Sequence, residues 1–205
     1  MVAKIQSPLD CLQKLASNVC VWLNGGIDAE RPIWIRLWNR AEKRYCTDGG
    51  ANRVVYRNQE LAPPEVVVGD MDSIMSTASR VLLLGGTSGR LDHALAAINS
   101  LYNATALLNQ KVYCLDGENF TFVLDEAKHS LKIDRHLVTG TCGVVPFCQK
   151  PTVVTMNGFR WNLEDTKMAF GSLISTSNFM VKDVLHIKTS APLIFTMELR
   201  AEALY

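Results

Sequence analysis

The chain has 205 residues, of which 48% are hydrophobic and 20% are charged, and its formal net charge is +1. This composition is typical of a globular protein that can bury a core, and the length fits one large domain or two small ones. Because Lys and Arg are not in excess and no acidic tail is present, we expect no nucleic-acid partner. Any phosphate binding must therefore come from local geometry and not from bulk charge.

Cysteine spacing and the N-terminal pattern predict the compartment. None of the six cysteines forms a C-x-x-C pair, and the four histidines are scattered. We therefore expect buried thiols in a reducing compartment and no zinc site. The first apolar run, 19–23, is far shorter than the roughly 18 to 20 residues of a membrane span, and no signal-peptide pattern precedes it. We expect a cytoplasmic protein without a membrane partner.

Helical patterns recur through the first half of the chain. Ser7-Pro8 predicts a helix start near the N-terminus, and the spacing of Ile33, Leu37 and Ala41 predicts a second helix. Further helices are predicted over 51–57 and over 91–108. The last of these has a row of large apolar side chains on one face, namely Leu91, Leu95, Ile98 and Tyr102.

Short apolar runs alternate with those helices and predict buried strands at 19–23, 45–47, 66–68 and 81–84. The alternation predicts an α/β domain over 1–115, with a mostly parallel sheet and flanking helices. In such sheets ligands bind beyond the carboxyl ends of the strands. Runs rich in Asp and Gly follow several of the predicted strands, so they mark the expected site.

The second half contains strand patterns and no long helical pattern. Short strands are predicted at 120–124, 131–133 and 193–199, and Asn157-Gly158 is a strong signal for a type I′ hairpin. After that pair, apolar and polar residues alternate through Leu163. These patterns predict an antiparallel β-sandwich over 116–205.

Two carboxylates lie close together in the run Gly69-Asp70-Met71-Asp72-Ser73, directly after a predicted strand. If the chain is still extended, Asp70 and Asp72 point to the same side. Carboxylate oxygens of this kind suit Mg²⁺, which usually takes one or two carboxylates plus substrate phosphates. The run therefore predicts a magnesium site, and its alternative is a plain acidic turn.

Two glycine-rich runs, 48–52 and 85–93, each follow a predicted strand and precede a predicted helix. Glycines let backbone N–H groups approach a phosphate, and a helix N-terminus favours an anion. Arg90 adds a guanidinium that can hold a phosphate with two hydrogen bonds. The alternatives are turns that need glycine for positive φ, with Asp92 and His93 as ordinary helix-start residues.

Two polar features stand out in the second half. Ser175-Thr176-Ser177-Asn178 is either part of a binding site or a polar turn, and Trp161 is either a stacking platform or a core residue.

Together these segments resemble the thiamine pyrophosphokinase family, and the resemblance spans nearly the whole chain. The matching motifs occur in the family's order. They are D-G-G-A-N-R at 48–53, G-D-x-D-S at 69–73, G-G-x-x-G-R-x-D-H at 85–93, C-G-x-x-P at 142–146, G-x-x-W-N-L at 158–163 and S-T-S-N at 175–178.

The resemblance implies a thiamine diphosphokinase, which transfers pyrophosphate from ATP to thiamine and releases AMP. It also implies a homodimer with active sites between subunits. The implied catalytic residues are Asp48, Asp70 and Asp72, with Asp70 and Asp72 as Mg²⁺ ligands. The implied nucleotide and phosphate contacts are Gly49, Asn52, Arg53, Ser73, Gly86, Arg90 and Asp92. The implied thiamine contacts are Trp161, Ser175, Ser177 and Asn178.

The chain departs from the family pattern between the acidic run and the second glycine-rich run. The family normally has a crossover helix, a strand and an acidic D-x-D-x-T-D motif there, and this sequence has none of them. Only seven residues, 74–80, separate Ser73 from the strand predicted to begin at Val81, whereas a parallel crossover usually needs a dozen or more. Either the two strands are not neighbours, or the sheet has lost material.

The departure leaves two further functional hypotheses. One is a catalytically impaired isoform that binds thiamine or dimerises with a full-length partner. The other is a different nucleotide-dependent transferase on the same scaffold, which the W-N-L and S-T-S-N motifs disfavour.

Overall fold

The computed structural model describes residues 3–13, 18–26, 30–57, 60–68, 80–108, 111–147 and 150–205. The chain divides into two compact units. One consists mainly of Cys11–Phe120 and is called the α/β unit. The other combines Thr121–Ala203 with the N-terminal residues up to Asp10 and is called the sandwich unit.

Helices and strands both occur up to residue 116, and the described residues after it form only strands, apart from a short 3-10 helix at Ala201–Leu204. The first group consists of β1 (Lys4–Gln6), α1 (Asp10–Gln13), β2 (Asn18–Trp22), α2 (Pro32–Asn39), β3 (Lys43–Thr47), α3 (Asp48–Tyr56), β4 (Val66–Val68), β5 (Arg80–Leu84), α4 (Leu91–Leu107) and β6 (Lys111–Asp116). The later strands are β7 (Asn119–Leu124), β8 (Ala127–Lys132), β9 (Val138–Val145), β10 (Thr152–Asn157), β11 (Leu163–Met168), β12 (Ser175–Phe179), β13 (Val184–Thr189) and β14 (Leu193–Leu199).

The strands of the α/β unit are parallel and lie in the order β6-β5-β2-β3-β4. Every residue of β2 is buried, and so are four of the five residues of β5. Parallel strands covered on both faces have such continuous apolar sequences, because they expose no polar face to water. The predicted α/β fold is confirmed, and so are the buried strands predicted at 19–23 and 81–84. The strand predicted at 66–68 is present as β4, but Val67 is 49% exposed, so its predicted burial is not confirmed.

An aromatic cluster holds α2 against the middle of this sheet. Trp22 on β2 makes edge-to-face contacts with Trp34 and Trp38 of α2, with ring centroids 5.6 and 5.5 Å apart. Such pairs contribute about 0.5–1.5 kcal/mol each beyond the apolar area they bury. The helix predicted from Ile33, Leu37 and Ala41 is therefore present, and Ile33 and Leu37 are buried on it. It ends at Asn39, however, so Ala41 lies beyond the helix.

The short connection between β4 and β5 is explained by the strand order. These strands are not neighbours, since β3 and β2 lie between them. The chain must cross three strand spacings, about 14 Å, and return along the sheet by about 16 Å. The connecting residues 69–79 are outside the described part of the chain, but eleven extended residues span up to about 36 Å. The available length is sufficient for this crossing.

Three helix predictions need correction at the level of residues. The helix expected at Ser7-Pro8 begins at Asp10, after a turn in which the Asp10 N–H donates to the Ser7 carbonyl (3.2 Å). The helix expected over 51–57 begins three residues earlier, at Asp48. The helix expected over 91–108 ends at Leu107.

The face of α4 that is buried is not the face predicted from its row of large apolar side chains. Leu91 and Leu95 are 73% and 48% exposed, whereas the buried residues are Ala97, Leu101 and Ala104. Small alanines allow the helix axis to come close to the sheet, and the larger leucines at the N-terminal end therefore lie on the outer side. Burial here depends on packing distance more than on hydrophobicity.

The sandwich unit contains two sheets, as predicted. One has the order β1-β8-β13-β10-β11, and the strands of the other within this unit follow the order β12-β9-β14-β7. The pairs β8–β13, β13–β10, β10–β11, β12–β9 and β9–β14 are antiparallel, whereas β1 runs parallel to β8. Residues of β13 alternate strictly between exposed and buried, which is typical of a strand with one face on a core.

The predicted type I′ hairpin at Asn157-Gly158 is wrong. Asn157 is the last residue of β10, and β11 begins only at Leu163, so the connection is a longer loop over 158–162. A type I′ turn needs positive φ at both central residues, but only Gly158 has one, at 100°. Consequently the alternating residues after Gly158 form a loop instead of continuing a strand.

Within the described residues, no helix is long and apolar enough to cross a membrane. Five cysteines of this part are buried thiols outside any disulfide, namely Cys11, Cys20, Cys46, Cys114 and Cys142. Burial raises the pKa of Cys46 and of Cys142 to about 12, and it raises the pKa of Cys20 and Cys114 further.

Native-state alkylation tests this burial. A thiol of pKa about 12 is ionised in about one molecule in 10⁴ at pH 8, and the thiolate is the reactive form. We expect iodoacetamide at pH 8 to leave these five thiols unmodified in the native chain and to label all of them in denaturant, as read by peptide mapping. Fast labelling of Cys142 without denaturant would contradict the structure.

Candidate active site

Four strand ends of the α/β unit form the candidate phosphate site, and those of β3 and β5 lead into the runs predicted to bind phosphate. The loop after β2 contains Asn24, Gly25 and Gly26, and α3 begins directly after β3. Residues 85–90, called the glycine loop, connect β5 to α4. Asp116 is the last residue of β6. Because the strands are parallel, all four of these segments lie at the carboxyl edge of one sheet.

The first turn of α3 lies directly against the end of β2. A Cβ atom at Gly50 would be 2.2 Å from the Trp22 carbonyl oxygen, and one at Gly49 would be 2.3 Å from the Asn24 side chain. Neither glycine has a positive φ. Glycine is therefore required here by close approach of the helix, and not by the left-handed backbone that a strand-to-helix turn would need.

The glycine loop does use left-handed backbone. Gly85, Gly86 and Gly89 have φ angles of 84°, 103° and 89°. A Cβ at Gly86 would lie 2.7 Å from Leu23 Cδ1, and one at Gly25 would lie 2.8 Å from the Gly86 nitrogen. The backbones of the loops after β2 and β5 are thus in direct contact. Backbone N–H groups that are brought together can bind a ligand with many acceptor oxygens.

Arg53, predicted as a nucleotide contact, is held at this edge by two partners. Its Nη1 lies 3.1 Å from Glu30 Oε1, and its Nη2 donates to the Gly25 carbonyl. Glu30 also pairs with Arg57, which directly follows the last residue of α3, at 3.0 Å, and the Glu30 side chain is only 9% exposed. The pairing directs Arg53 towards the loop after β2. Asn52, next to it on α3, is exposed.

Arg90 and Asp92 are exposed and bind each other. Arg90 Nε and Nη2 donate to the two Asp92 carboxylate oxygens at 3.1 and 2.6 Å, and this hydrogen bonding lowers the pKa of Asp92. Asp92 also lies in the first turn of α4, where a negative charge is favoured by the helix dipole. Arg90, the last residue of the glycine loop, is therefore paired with a carboxylate in the first turn of α4.

The predicted acidic residues are not placed by the structure. Asp70, Asp72 and Ser73 lie outside the described residues, and the side chain of Asp48 is also not described. Among the residues that the structure describes, no cluster of three or more His, Cys, Asp or Glu side chains could hold a metal ion. The magnesium site at Asp70 and Asp72 therefore stays a prediction.

Three of the four predicted thiamine contacts come together around one pocket in the sandwich unit, and Ser177 is not part of its lining. Its volume is about 230 Å³, and Trp161, Ser175 and Asn178 line it together with the apolar residues Leu173 and Ile174. Trp161 is 55% exposed, so it is not a core residue. The Arg160 guanidinium lies 5.1 Å from the centroid of its ring.

Asn178 fixes the position of Trp161. It is buried, and its Oδ1 accepts hydrogen bonds from the backbone N–H groups of Trp161 (3.3 Å) and Phe179 (2.8 Å). Its Nδ2 donates to the Trp161 carbonyl (2.9 Å) and to Ser175 Oγ (3.3 Å). These bonds use the four hydrogen-bonding positions of the side-chain amide, so Asn178 links β12 to the loop that carries Trp161.

Ser177 has a φ of 55°, which is unusual for a residue other than glycine. It lies where the register between β12 and β9 shifts, between Ser175 and Asn178. Such bulges re-aim neighbouring side chains and are frequent beside active sites. The S-T-S-N run thus forms the start of β12, with a bulge inside it, instead of the polar turn that was its alternative.

Sequence reasoning missed Asp116 and Glu30. Asp116 follows a run of apolar residues at the end of a strand, as Asp48 and Asp70 do, and that pattern was the available signal. Glu30 has no such signal, because its partners Arg53 and Arg57 are more than twenty residues away in sequence.

Comparison with known proteins identifies the family. A rice (Oryza sativa subsp. japonica) protein named thiamine pyrophosphokinase 1 is 31% identical to the chain over an alignment that covers 90% of the chain and 88% of that protein. The chain belongs to the thiamine pyrophosphokinase family. Thiamin pyrophosphokinase 1 of Caenorhabditis elegans is 28% identical, with 97% of the chain and 96% of that protein covered.

Family models and solved structures agree with this membership. The model described as thiamin pyrophosphokinase, catalytic domain, matches residues 34–80, and the one described as thiamin pyrophosphokinase, vitamin B1 binding domain, matches 128–194. The fold is similar to yeast thiamin pyrophosphokinase, with a TM-score of 0.80 at 18% identity over 100% of this chain and 93% of that one. It is also similar to the enzyme from Candida albicans, with a TM-score of 0.79 at 17% identity over 97% and 94%.

This chain is shorter than such family members. The alignment with the C. elegans protein has 234 positions, 29 more than the 205 residues of the chain. At least that many positions of the longer protein therefore have no counterpart here. The family's acidic segment is missing from this sequence, in agreement with that difference.

Substitution of Gly50 tests the contact between α3 and β2. Alanine would favour the helix by about 1 kcal/mol in an uncrowded position, but here its Cβ meets the Trp22 carbonyl. We expect Gly50→Ala to lower the thermal midpoint by a few degrees, since overpacking costs about 1–3 kcal/mol. Val55→Ala, at a 65% exposed position of the same helix, is the control. A raised midpoint for Gly50→Ala would show that α3 does not approach β2 this closely.

Proposed function

We propose that this chain transfers pyrophosphate from ATP to thiamine, giving thiamine pyrophosphate and AMP. The observation that carries the proposal is its 31% identity to a rice thiamine pyrophosphokinase over 88% of that protein's length. The glycine-rich edge of the α/β unit and the Trp161 pocket of the sandwich unit each offer chemistry suited to one substrate. No finding favours the impaired isoform or a different transferase.

ATP phosphates would bind at the glycine loop and the N-terminus of α4. The first N–H groups of a helix have no partner within the helix and attract anions. Arg90 would exchange its carboxylate partner Asp92 for a phosphate, because both present paired oxygens to the guanidinium. Gly49 in the first turn of α3 and Asn52 and Arg53 in the next turn provide further contacts at the same edge.

Asp70 and Asp72 would hold Mg²⁺, which offsets negative charge on the phosphate oxygens when bound. The hydroxyl of thiamine attacks the β-phosphorus of ATP, and AMP leaves. Asp72 or Asp48 would accept the hydroxyl proton. Ser73, directly after the acidic pair, would contact the nucleotide. The protein's main contribution is to hold the reacting groups in position and to neutralise charge.

Thiamine would bind in the Trp161 pocket. Its ring cation suits the face of an indole, and Leu173 and Ile174 provide an apolar wall. Ser175 Oγ and Ser177 would add polar contacts, and Asn178 would hold the platform as well as line the pocket. A homodimer with active sites between subunits, and a cytoplasmic location, complete the proposal. Sedimentation velocity tests the dimer directly.

The deciding assay mixes the purified chain with ATP, Mg²⁺ and thiamine and measures AMP and thiamine pyrophosphate together. We expect equal amounts of both, at a rate within the usual enzyme range of about 1 to 10³ per second. The variant Asp70→Asn/Asp72→Asn should lose at least about a hundredfold in kcat, because charge neutralisation is lost. A folded wild-type chain that forms neither product would favour the impaired isoform.

Substitution of Trp161 should change the affinity for thiamine and leave the affinity for ATP unchanged. We expect Trp161→Ala to raise the KM for thiamine about tenfold, since the ring–cation contact is lost, with the KM for ATP unchanged. Trp161→Phe should recover most of the affinity. Phe170→Ala removes another exposed aromatic ring of the same unit and serves as the control. An equal rise in both KM values would argue against the assignment.

A further inference from the structure

Asp116 is a buried carboxylate whose hydrogen bonds go to the glycine loop. Its Oδ2 accepts the backbone N–H of Thr87 at 2.7 Å and the Thr87 hydroxyl at 2.9 Å, and its Oδ1 accepts the Ser88 hydroxyl at 3.1 Å. The residue is 3% exposed. Three donors from two adjacent loop residues thus converge on one carboxylate, and such charge-assisted bonds are about twice as strong as neutral ones.

Ser88 extends this connection to the loop after β2. The backbone N–H of Gly26 donates to Ser88 Oγ at 3.0 Å. A hydroxyl has one hydrogen and two lone pairs, so Ser88 can give its hydrogen to Asp116 while it accepts from Gly26. Asp116 therefore ties the ends of β6, β5 and β2 together through two side chains.

The glycine loop needs such an anchor because of its composition. Gly85, Gly86 and Gly89 leave it with an unusually large number of accessible backbone conformations, and ordering glycine costs more entropy than ordering any other residue. Asp116 holds the two residues, Thr87 and Ser88, that lie between these glycines. Ser88 and Gly89 directly precede Arg90, the N-cap residue of α4, so their backbone lies beside the N-terminus of that helix.

We propose that Asp116 is a positioning residue for the nucleotide: by binding Thr87 and Ser88, it preorganises the glycine loop around the ATP phosphates. The inference rests on the proposed reaction with ATP. Preorganisation raises affinity because the ordering cost is met before the ligand arrives. Asp116 does not itself touch the phosphates, since its oxygens are occupied and buried. Its loss should therefore weaken ATP binding and leave thiamine binding unchanged.

The test compares Asp116→Asn with the wild-type chain. Asparagine keeps the shape but carries no charge and has only one acceptor oxygen. We expect the Kd for ATP with Mg²⁺, measured by calorimetry without thiamine, to rise about tenfold. The KM for ATP should rise in parallel, with the KM for thiamine within about twofold of wild type. Glu198→Gln is the matched control, because Glu198 also accepts a threonine hydroxyl, from Thr139, but in the sandwich unit.

A double-mutant cycle tests whether Asp116 and Ser88 act together in positioning the glycine loop. Ser88→Ala removes the link to Gly26 and one bond to Asp116. If the two side chains act as one unit, the variant Ser88→Ala/Asp116→Asn should bind ATP no more weakly than the weaker single variant. Ser88→Ala also serves alone if Asp116→Asn does not fold, and it should raise the Kd for ATP at least threefold.

The outcomes distinguish this inference from the proposed function. A wild-type chain that binds ATP but forms no product would remove the reaction and still allow the comparison of Kd values. The inference is overturned if the wild-type chain does not bind ATP, or if Asp116→Asn and Ser88→Ala bind it within about twofold of wild type. It is also overturned if the variants bind ATP and thiamine equally more weakly and their thermal midpoint falls. That pattern would indicate loss of the fold alone.

Discussion

Close approach of backbones at the end of β2 is the constraint on which the phosphate-binding edge depends. Gly50 of α3 lies against the Trp22 carbonyl, and Gly25 lies against the backbone of Gly86. A side chain at any of these positions would push one segment away from the others. The aromatic contacts of Trp22 with α2 hold β2 itself in place. The arrangement thus combines a rigid strand with glycines that let three connections converge on its end.

In the sandwich unit, the candidate site is held in position by side-chain hydrogen bonds instead of by glycines. Trp161 lies in a loop with no regular hydrogen-bond ladder, and Asn178 replaces that ladder by binding both its backbone N–H and its carbonyl. The bulge at Ser177 brings Asn178 into the register where it can do so. Half-exposed aromatic platforms need such support, because water alone does not hold a large ring in one orientation.

Sequence patterns predicted those parts of the structure that depend on local chemistry. The apolar runs of β2, β4 and β5 were found to within one residue, and the family motifs indicated both candidate sites. The exposed Leu91 and Leu95, the early start of α3 and the bonds of Asp116 all depend on which segments meet in space. No periodicity within a short window contains that information, so these features emerged only from the structure.

The N-terminal strand β1 has a consequence for how the chain can be divided. Lys4 pairs with His129, more than a hundred residues later, and the strand completes an edge of the sheet that contains β8. A fragment that begins at Thr121 would leave that edge of β8 unpaired, and bare strand edges promote association between chains. Closing this edge therefore requires a strand that more than a hundred residues separate from its neighbour in sequence. A shortened sandwich unit would need residues 4–6 supplied with it to keep β8 paired on both sides.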